Sequence, residues 1–134
     1  EPDCLEVCRI NERRILGRIC LSVRLTDLLS GVTGPFDMVI ANLPYLGDEE
    51  CERLAASSWP EPMTALHGGR IGIELTLRLI VQAGVLLRAG GYLLLETTDE
   101  HLTQLFGALD RGGFSDHTVH CDLSGKPRVI RARR

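Results

Sequence analysis

The spacing of apolar residues changes repeatedly along the chain between the period of a helix and that of a strand. The first segment predicts a helix from Pro2 to about Leu16, ending at Gly17. From Ile19 to Leu25 apolar residues alternate with polar ones, which predicts a strand with one polar face. Residues 29–35 contain two glycines and a proline and predict a loop.

The middle of the chain predicts a buried strand, a long loop and a helix. Residues 36–43 are almost continuously apolar, as is typical of a strand covered on both faces in a parallel sheet. Residues 44–70 show little periodicity, and a loop of this length is usually functional or disordered. Residues 71–87 predict a helix that stops at Gly90 and Gly91. Its apolar side is predicted to carry Ile73, Leu77, Ile80, Val81 and Val85.

The last third predicts a strand, a helix and a hairpin, and the whole pattern indicates an α/β fold. Residues 92–97 form the strand. Helical spacing follows at Leu102, Leu105, Phe106 and Leu109, before two glycines. Residues 114–122 and 128–132 then flank a turn. We expect one domain, residues 1–134, with a partial Rossmann-like sheet that is mostly parallel, has helices on both faces and ends in an antiparallel hairpin.

Charge and composition narrow the function classes. The net charge is −3 and Lys126 is the only lysine, so the C-terminal arginines form the only basic patch and nucleic-acid binding is not favoured. No apolar run is long enough for a membrane span and no signal peptide opens the chain, so we expect the cytoplasm. The five cysteines and four histidines show no metal-ligand spacing, and Cys4 and Cys8 are expected to be buried.

Two polar clusters follow predicted strands, where ligands of open α/β sheets bind: Asp27-Leu28 and residues 42–45. Pro44 has a fixed φ and disfavours the helical region for Leu43. This stiff turn would orient the Leu43 carbonyl and the Asn42 side-chain oxygen as two acceptors for a planar NH2 group, and Tyr45 offers a flat face for stacking.

Plainer interpretations of the same residues stay open. Asn42-Leu43-Pro44-Tyr45 is also compatible with an ordinary turn at the end of a strand. Asp27 could cap the turn that follows it. Glu61 and Glu96 could be functional, or could be bonded by loop N–H groups.

Several segments resemble one family of methyltransferases. The string IANLPY resembles the (N/D)PP(Y/F) signature of amino-group methyltransferases, with Leu43 in place of the first proline. WPEPMTALHGG, LLRAGGYLLLET and DLSGKPRVIRAR are similar to three further blocks of the HemK/PrmC group. The matches follow the family order over nearly the whole chain, from Leu21 to Arg133.

The resemblance implies an S-adenosyl-L-methionine-dependent enzyme that methylates the side-chain amide of glutamine in peptide chain release factors. By the same resemblance, Asp27 would bind the adenine amino group of the cofactor and Leu28 would pack on the ring. Asn42 would contact cofactor and substrate, and Leu43, Pro44 and Tyr45 would line the glutamine site. An N6-adenine methyltransferase and a non-catalytic interaction domain are the alternatives.

One expected motif of class I methyltransferases does not occur in the sequence. No GxGxG is found, and Gly68, Gly69 and Gly72 follow the candidate motif instead of preceding it. We therefore expect either part of a longer protein or a truncated relative. Such a chain would bind the cofactor weakly by itself and could self-associate through exposed sheet edges.

Overall fold

The computed structural model describes residues 3–134, which divide after Gly31 into two compact units. The predicted helix start at Pro2 lies outside the described residues. That a single domain spans residues 1–134 stays a prediction. None of the helices in residues 3–134 is long and apolar enough to cross a bilayer.

The first unit consists of one helix and an irregular segment. Helix α1 (Asp3–Leu16) ends where the N–H of Gly17, at φ +66°, donates to the Arg13 carbonyl. Only Glu12 is buried on this helix. Cys4 and Cys8 are exposed, so the expectation that they are buried is wrong. The side of the helix that carries both cysteines faces solvent.

The predicted strand at residues 19–25 is also wrong. These residues pair with no strand in the described part of the chain, and Ile19, Leu21 and Leu25 are all more than half exposed. The N–H groups of Cys20 and Leu21 instead donate to the Glu12 carboxylate, which lowers the pKa of Glu12. A backbone whose donors are taken by a side chain cannot use them in a sheet. The alternating pattern was therefore not sufficient to form a strand.

The second unit is a mixed α/β structure built on a four-stranded sheet. Its elements are β1 (Phe36–Ala41), α2 (Asp48–Ala56), α3 (Glu74–Leu86), β2 (Leu87–Glu96), α4 (Leu102–Arg111), β3 (Ser115–Cys121) and β4 (Pro127–Arg133). The strand order is β1-β2-β4-β3. Strands β1 and β2 are parallel, whereas β4 is antiparallel to β2 and β3. The α/β fold class and the C-terminal hairpin are confirmed. Of the three strand pairings in the described sheet, one is parallel and two are antiparallel, so the sheet is not mostly parallel as expected.

One face of the sheet is buried, and the other is most exposed at β1. Leu93 and Leu95 of β2 are 0% and 1% exposed and lie beside Ala132 and Ile130 of β4. On the opposite face, Ile40 of the edge strand β1 is 71% exposed. The expectations that β1 is covered on both faces, and that helices cover both faces of this sheet, are therefore wrong. With only β2 beside it, β1 has one unpaired edge and one open face.

The helices pack on the buried side with a different set of residues from the one predicted. In α3 the buried residues are Thr76, Leu79, Ile80, Ala83 and Gly84. Ile73 and Ile80 are buried as expected, but Val81 and Val85 are exposed, because the contact with the core lies on the adjacent side of the helix. In α4 Leu105 and Leu109 are almost fully buried, and the helix ends at Gly112, as predicted.

Two boundaries differ from the sequence expectation. The segment predicted as a loop, residues 44–70, contains helix α2, whose first turn carries three acidic residues favourable to a helix N-terminus. Helix α3 ends at Leu86, and Gly90 and Gly91 lie within β2 instead of stopping a helix. Gly90 is at φ +77°, and the register between β1 and β2 shifts in this region, between the pairs Phe36–Leu87 and Met38–Tyr92.

Candidate active site

The motif residues 42–45 directly follow β1 and line one cavity. Asn42, Leu43, Pro44 and Tyr45 surround a space of about 250 Å³. Asn42 is exposed and does not point into the apolar core, whereas the other three residues are half-buried. The structure thus brings together all four residues predicted for the amide site, at the carboxyl end of a parallel strand.

The chain that follows the motif is hydrogen-bonded to a second loop through backbone groups. The N–H of Leu46 donates to the Leu66 carbonyl at 3.0 Å, and the N–H of Gly68 donates to the Leu46 carbonyl at 2.9 Å. Further on, the N–H of Asp48 donates to the Arg70 carbonyl at 3.2 Å. Residues 66–72, which we call the glycine loop, therefore lie alongside the backbone of residues 44–48.

Two glycines allow this close approach. A Cβ added to Gly68 would lie 2.9 Å from the carbonyl carbon of Pro44, and one added to Gly72 would lie 2.9 Å from that of Tyr45. Gly72 also has φ +84°. Sequence reasoning set both glycines aside because they follow the motif. The similarity of the WPEPMTALHGG segment to the family pattern was a signal for Gly68, and Gly72 lies outside that segment.

Glu74 closes the glycine loop at the start of α3. Its carboxylate accepts hydrogen bonds from the N–H groups of Ile71 and Ile73, at 3.1 to 3.3 Å. Burial alone would raise the pKa of Glu74, but these N–H groups and its own, with Arg70 nearby, bring the pKa below its usual value. The carboxylate is therefore ionised at neutral pH and fixes the end of the loop.

A buried thiol lies behind the motif. Cys51 of α2 is 9% exposed, and its Sγ lies 4.0 Å from the Leu46 carbonyl. Burial, with Glu50 and Asp48 nearby, raises the pKa of the Cys51 thiol. The group is therefore a neutral thiol at physiological pH, which suits packing and not nucleophilic chemistry.

Two carboxylates line the cavity of the motif. Glu96, at the end of β2, and Glu61, in the loop after α2, both contribute to its wall. No lysine or arginine lines this cavity. The sequence left the role of both glutamates open. The structure brings them to the same cavity as Asn42, so the site is acidic and suits a neutral or positively charged group better than a phosphate.

The residues predicted for the cofactor adenine belong to the first unit. Asp27 and Leu28 begin a turn in which the N–H of Ser30 donates to the Asp27 carbonyl at 3.0 Å. The Thr26 hydroxyl donates to the Ser30 carbonyl at 2.7 Å, and Leu28 is at φ +52°. The turn is thus a defined structure, and the strand expected before it is not formed.

The C-terminal arginines bind other groups of this chain. Arg131 lies over the Tyr92 ring, 5.5 Å from its centroid, and donates to the Thr118 hydroxyl at 3.1 Å. The other three have these partners: Asp122 for Arg128, Asp116 for Arg133, and the Gly84 and Gly113 carbonyls for Arg134. The basic patch is therefore largely occupied by contacts within the chain.

Comparison with known proteins finds relatives in sequence and in fold. No family model matches the chain. It is 31% identical over 133 residues to a release factor glutamine methyltransferase of Deinococcus radiodurans, covering 99% of this chain and 47% of that protein. It is 33% identical over 94 residues to a ribosomal protein uL3 glutamine methyltransferase of Neisseria meningitidis, covering 70% of this chain and 31% of that one.

Solved structures agree on the fold. A methyltransferase from Pyrococcus furiosus has a TM-score of 0.71 at 19% identity, covering 99% of this chain and 58% of that chain. The E. cuniculi Mtq2-Trm112 complex, responsible for methylation of the termination factor eRF1, has a TM-score of 0.55 at 21% identity, covering 93% and 68%. The chain spans about half the length of the curated relatives it matches. Over almost its entire length, this chain is therefore a sequence relative of the release factor glutamine methyltransferases and has a methyltransferase fold.

Proposed function

We propose that this chain is the part of an S-adenosyl-L-methionine-dependent N-methyltransferase that binds the side-chain amide of a glutamine in a peptide chain release factor. The observation that carries the proposal is the placement of Asn42, Leu43, Pro44 and Tyr45 around one cavity at the end of β1. The names of the sequence relatives support glutamine as the target.

The motif residues would position a weak nucleophile. An amide nitrogen reacts poorly because its lone pair is delocalised. The Asn42 side-chain oxygen and the Leu43 carbonyl would accept its two hydrogens, which favours electron density on the nitrogen and fixes its direction. Such positioning can lower a barrier by roughly 7–11 kcal/mol in favourable cases, and oriented acceptors add an electrostatic share. Tyr45 would stack on the amide plane.

The methyl donor would be S-adenosyl-L-methionine, which supplies an electrophilic methyl group on a sulfonium sulfur. In the transfer, a bond forms between the amide nitrogen and the methyl carbon, the carbon–sulfur bond breaks with its electron pair going to sulfur, and the nitrogen loses one proton. Asp27 and Leu28 would bind the adenine ring, and Asn42 would contact the donor. The motif cavity of about 250 Å³ is smaller than most cofactor sites, so it suits the substrate amide.

The acidic lining favours a glutamine amide over adenine in nucleic acid. Adenine also presents a planar NH2 group, but a base in a polynucleotide brings phosphates with it. Glu61 and Glu96 would repel those phosphates, and the C-terminal arginines are already paired. We therefore propose a protein substrate, met in the cytoplasm, where release factors act.

The proposal is tested by methylation assays with release factor and DNA offered side by side at saturating S-adenosyl-L-methionine. Asn42→Ala should lower transfer to the release factor by roughly 100-fold, the usual cost of losing one oriented polar group in a transition state. Asn11→Ala, a substitution of an exposed asparagine in α1, is the matched control and should change nothing. Transfer to DNA in preference to protein would contradict the proposal, as would full activity of Asn42→Ala.

We also propose that copies of this chain associate through β1. Among the residues that the structure describes, the strand pairs with β2 alone, and its exposed residues include Phe36, Met38 and Ile40. An unpaired edge with apolar side chains is a template for pairing with another strand. A second copy of the same chain offers an identical edge.

A further inference from the structure

The cavity of the motif continues into two further cavities of the second unit. Tyr45 and Leu46 line both the motif cavity and a neighbouring one of about 180 Å³. Glu50, Glu100 and His101 line that second cavity and also a third of about 470 Å³. Because they share lining residues, the three cavities adjoin one another, and we refer to them together as the groove.

Acidic side chains predominate along the whole groove. Its three cavities are lined by seven carboxylates and four lysine or arginine side chains. Both charged side chains that line the motif cavity, Glu61 and Glu96, are carboxylates. At the junction of the other two cavities, Glu50 and Glu100 each face both spaces. The electrostatic potential along the groove is thus negative, and the excess of carboxylates is spread over all three cavities.

The basic side chains of the groove do not remove this excess. Lys126 and Arg128 line the second cavity, and Arg128 Nη2 lies 3.3 Å from an oxygen of Asp122. Arg53 and Arg70 line the third cavity together with four carboxylates. Of those four, Asp48 also contacts His67 at 2.8 Å. The charges therefore leave a net negative groove that is open to solvent.

We propose that this acidic groove binds an extended, positively charged polypeptide segment that flanks the methylated residue. The inference rests on the proposed function, and it adds the kind of sequence that the substrate carries next to its target. An extended chain advances about 3.3–3.6 Å per residue, so contiguous cavities accommodate successive side chains. A compact nucleoside would fill one cavity and leave the others empty. Opposite charge on the peptide would increase the association rate and the specificity.

The test uses two fluorescent peptides of equal length that share a central glutamine and differ only in carrying lysines or glutamates at the flanking positions. Binding to the whole chain is measured by fluorescence anisotropy at low and high salt. The lysine peptide should bind about tenfold more tightly at low salt, since several exposed charge pairs contribute. This preference should shrink as salt is raised.

Variants then locate the effect. The double substitution Glu50→Gln/Glu100→Gln should weaken binding of the lysine peptide by roughly three- to tenfold. Glu52→Gln, on the exposed side of the same helix as Glu50, is the matched control and should leave binding unchanged. Thermal unfolding of each variant separates loss of charge from loss of structure.

The outcomes separate this inference from the proposed function. Equal binding of the two peptides, or no effect of the double substitution in a folded protein, would overturn the acidic groove. A third peptide, with the glutamine replaced by leucine and the lysines kept, tests the amide site. If it binds as well as the glutamine peptide and no peptide is methylated, the groove stands and the glutamine function fails.

Discussion

At the scale of single residues, the candidate site depends on backbone groups that touch each other directly. Gly68 and Gly72 lie against the carbonyl groups of Pro44 and Tyr45, without space for a side chain. The carbonyl oxygens of the motif therefore have positions set by a loop that is distant in sequence. This arrangement compensates for Leu43, which lacks the φ restriction that a proline at the same position would add.

Replacement of Gly72 should show how much this contact contributes. Gly72→Ala places a Cβ 2.9 Å from the Tyr45 carbonyl carbon and keeps a residue at φ +84°. Gly125→Ala is the matched control, because Gly125 is at φ +80° with open space around it. The left-handed conformation costs each variant about 1–2 kcal/mol, and the clash should cost Gly72→Ala roughly a further 1–3 kcal/mol. Urea unfolding measures the difference.

Equal losses of unfolding free energy in the two variants would mean that the glycine loop moves to accommodate the added Cβ with no loss of stability. In that case its contact with the motif would have no influence on the site.

Sequence reasoning predicted the motif residues but not the residues that support them. Asn42 to Tyr45 are adjacent in the chain, so their joint chemistry is visible in four letters. The contact of Gly72 with Tyr45 joins segments 27 positions apart along the printed sequence, and periodicity contains no information on such contacts. Glu61 and Glu96 are likewise distant in sequence, and only the fold brings them to the same cavity. The catalytic and cofactor roles of Asp27, Leu28 and residues 42–45 stay predictions.

At the scale of elements, prediction was correct where periodic burial and local end signals agreed. Helix α4 has its buried stripe and its glycine stop, and the β3–β4 hairpin has its turn between two alternating segments. Prediction was wrong for residues 19–25, where the alternation is clear but the donors of Cys20 and Leu21 are bonded to Glu12. A strand requires a partner, which a local pattern does not provide.

The open edge of β1 gives a prediction at this scale. Ile40→Lys introduces a charge on the exposed face of the edge strand and should reduce self-association, because lysine on an edge disfavours strand pairing. Val81→Lys is the matched control: Val81 is 67% exposed but lies on α3, away from the sheet edge. Sedimentation velocity over a range of protein concentrations measures the average mass.

For the unsubstituted chain and for Val81→Lys the average mass should rise with concentration, and for Ile40→Lys it should rise much less. A chain that stays monomeric at every concentration would contradict association through β1.

At the scale of the whole molecule, the residues predicted to bind the substrate and those predicted only for the cofactor adenine belong to different units. The second unit contains the motif, the glycine loop and the acidic groove. The first unit contains Asp27 and Leu28, and no GxGxG occurs in the sequence. The chain spans about half the length of the curated relatives that it matches.

We therefore predict weak cofactor binding by this chain. In calorimetric titration with S-adenosyl-L-methionine, the dissociation constant should be in the millimolar range, about −4 kcal/mol of binding free energy. The glutamine peptides described above serve as the comparison, since their site is contained in the second unit. Micromolar affinity for the cofactor would show that the described residues bind it without a GxGxG motif.

The contact between the glycine loop and the motif also has a consequence for redesign. Because main chain lies against main chain at Gly68 and Gly72, libraries aimed at new acceptor molecules would gain little by varying those positions. Side chains that line the cavity, such as those of Leu66 and Glu96, are better positions to vary, because they are not part of that backbone contact. Selectivity for a new acceptor molecule would then be changed through these side chains, while the backbone geometry of the motif stays the same.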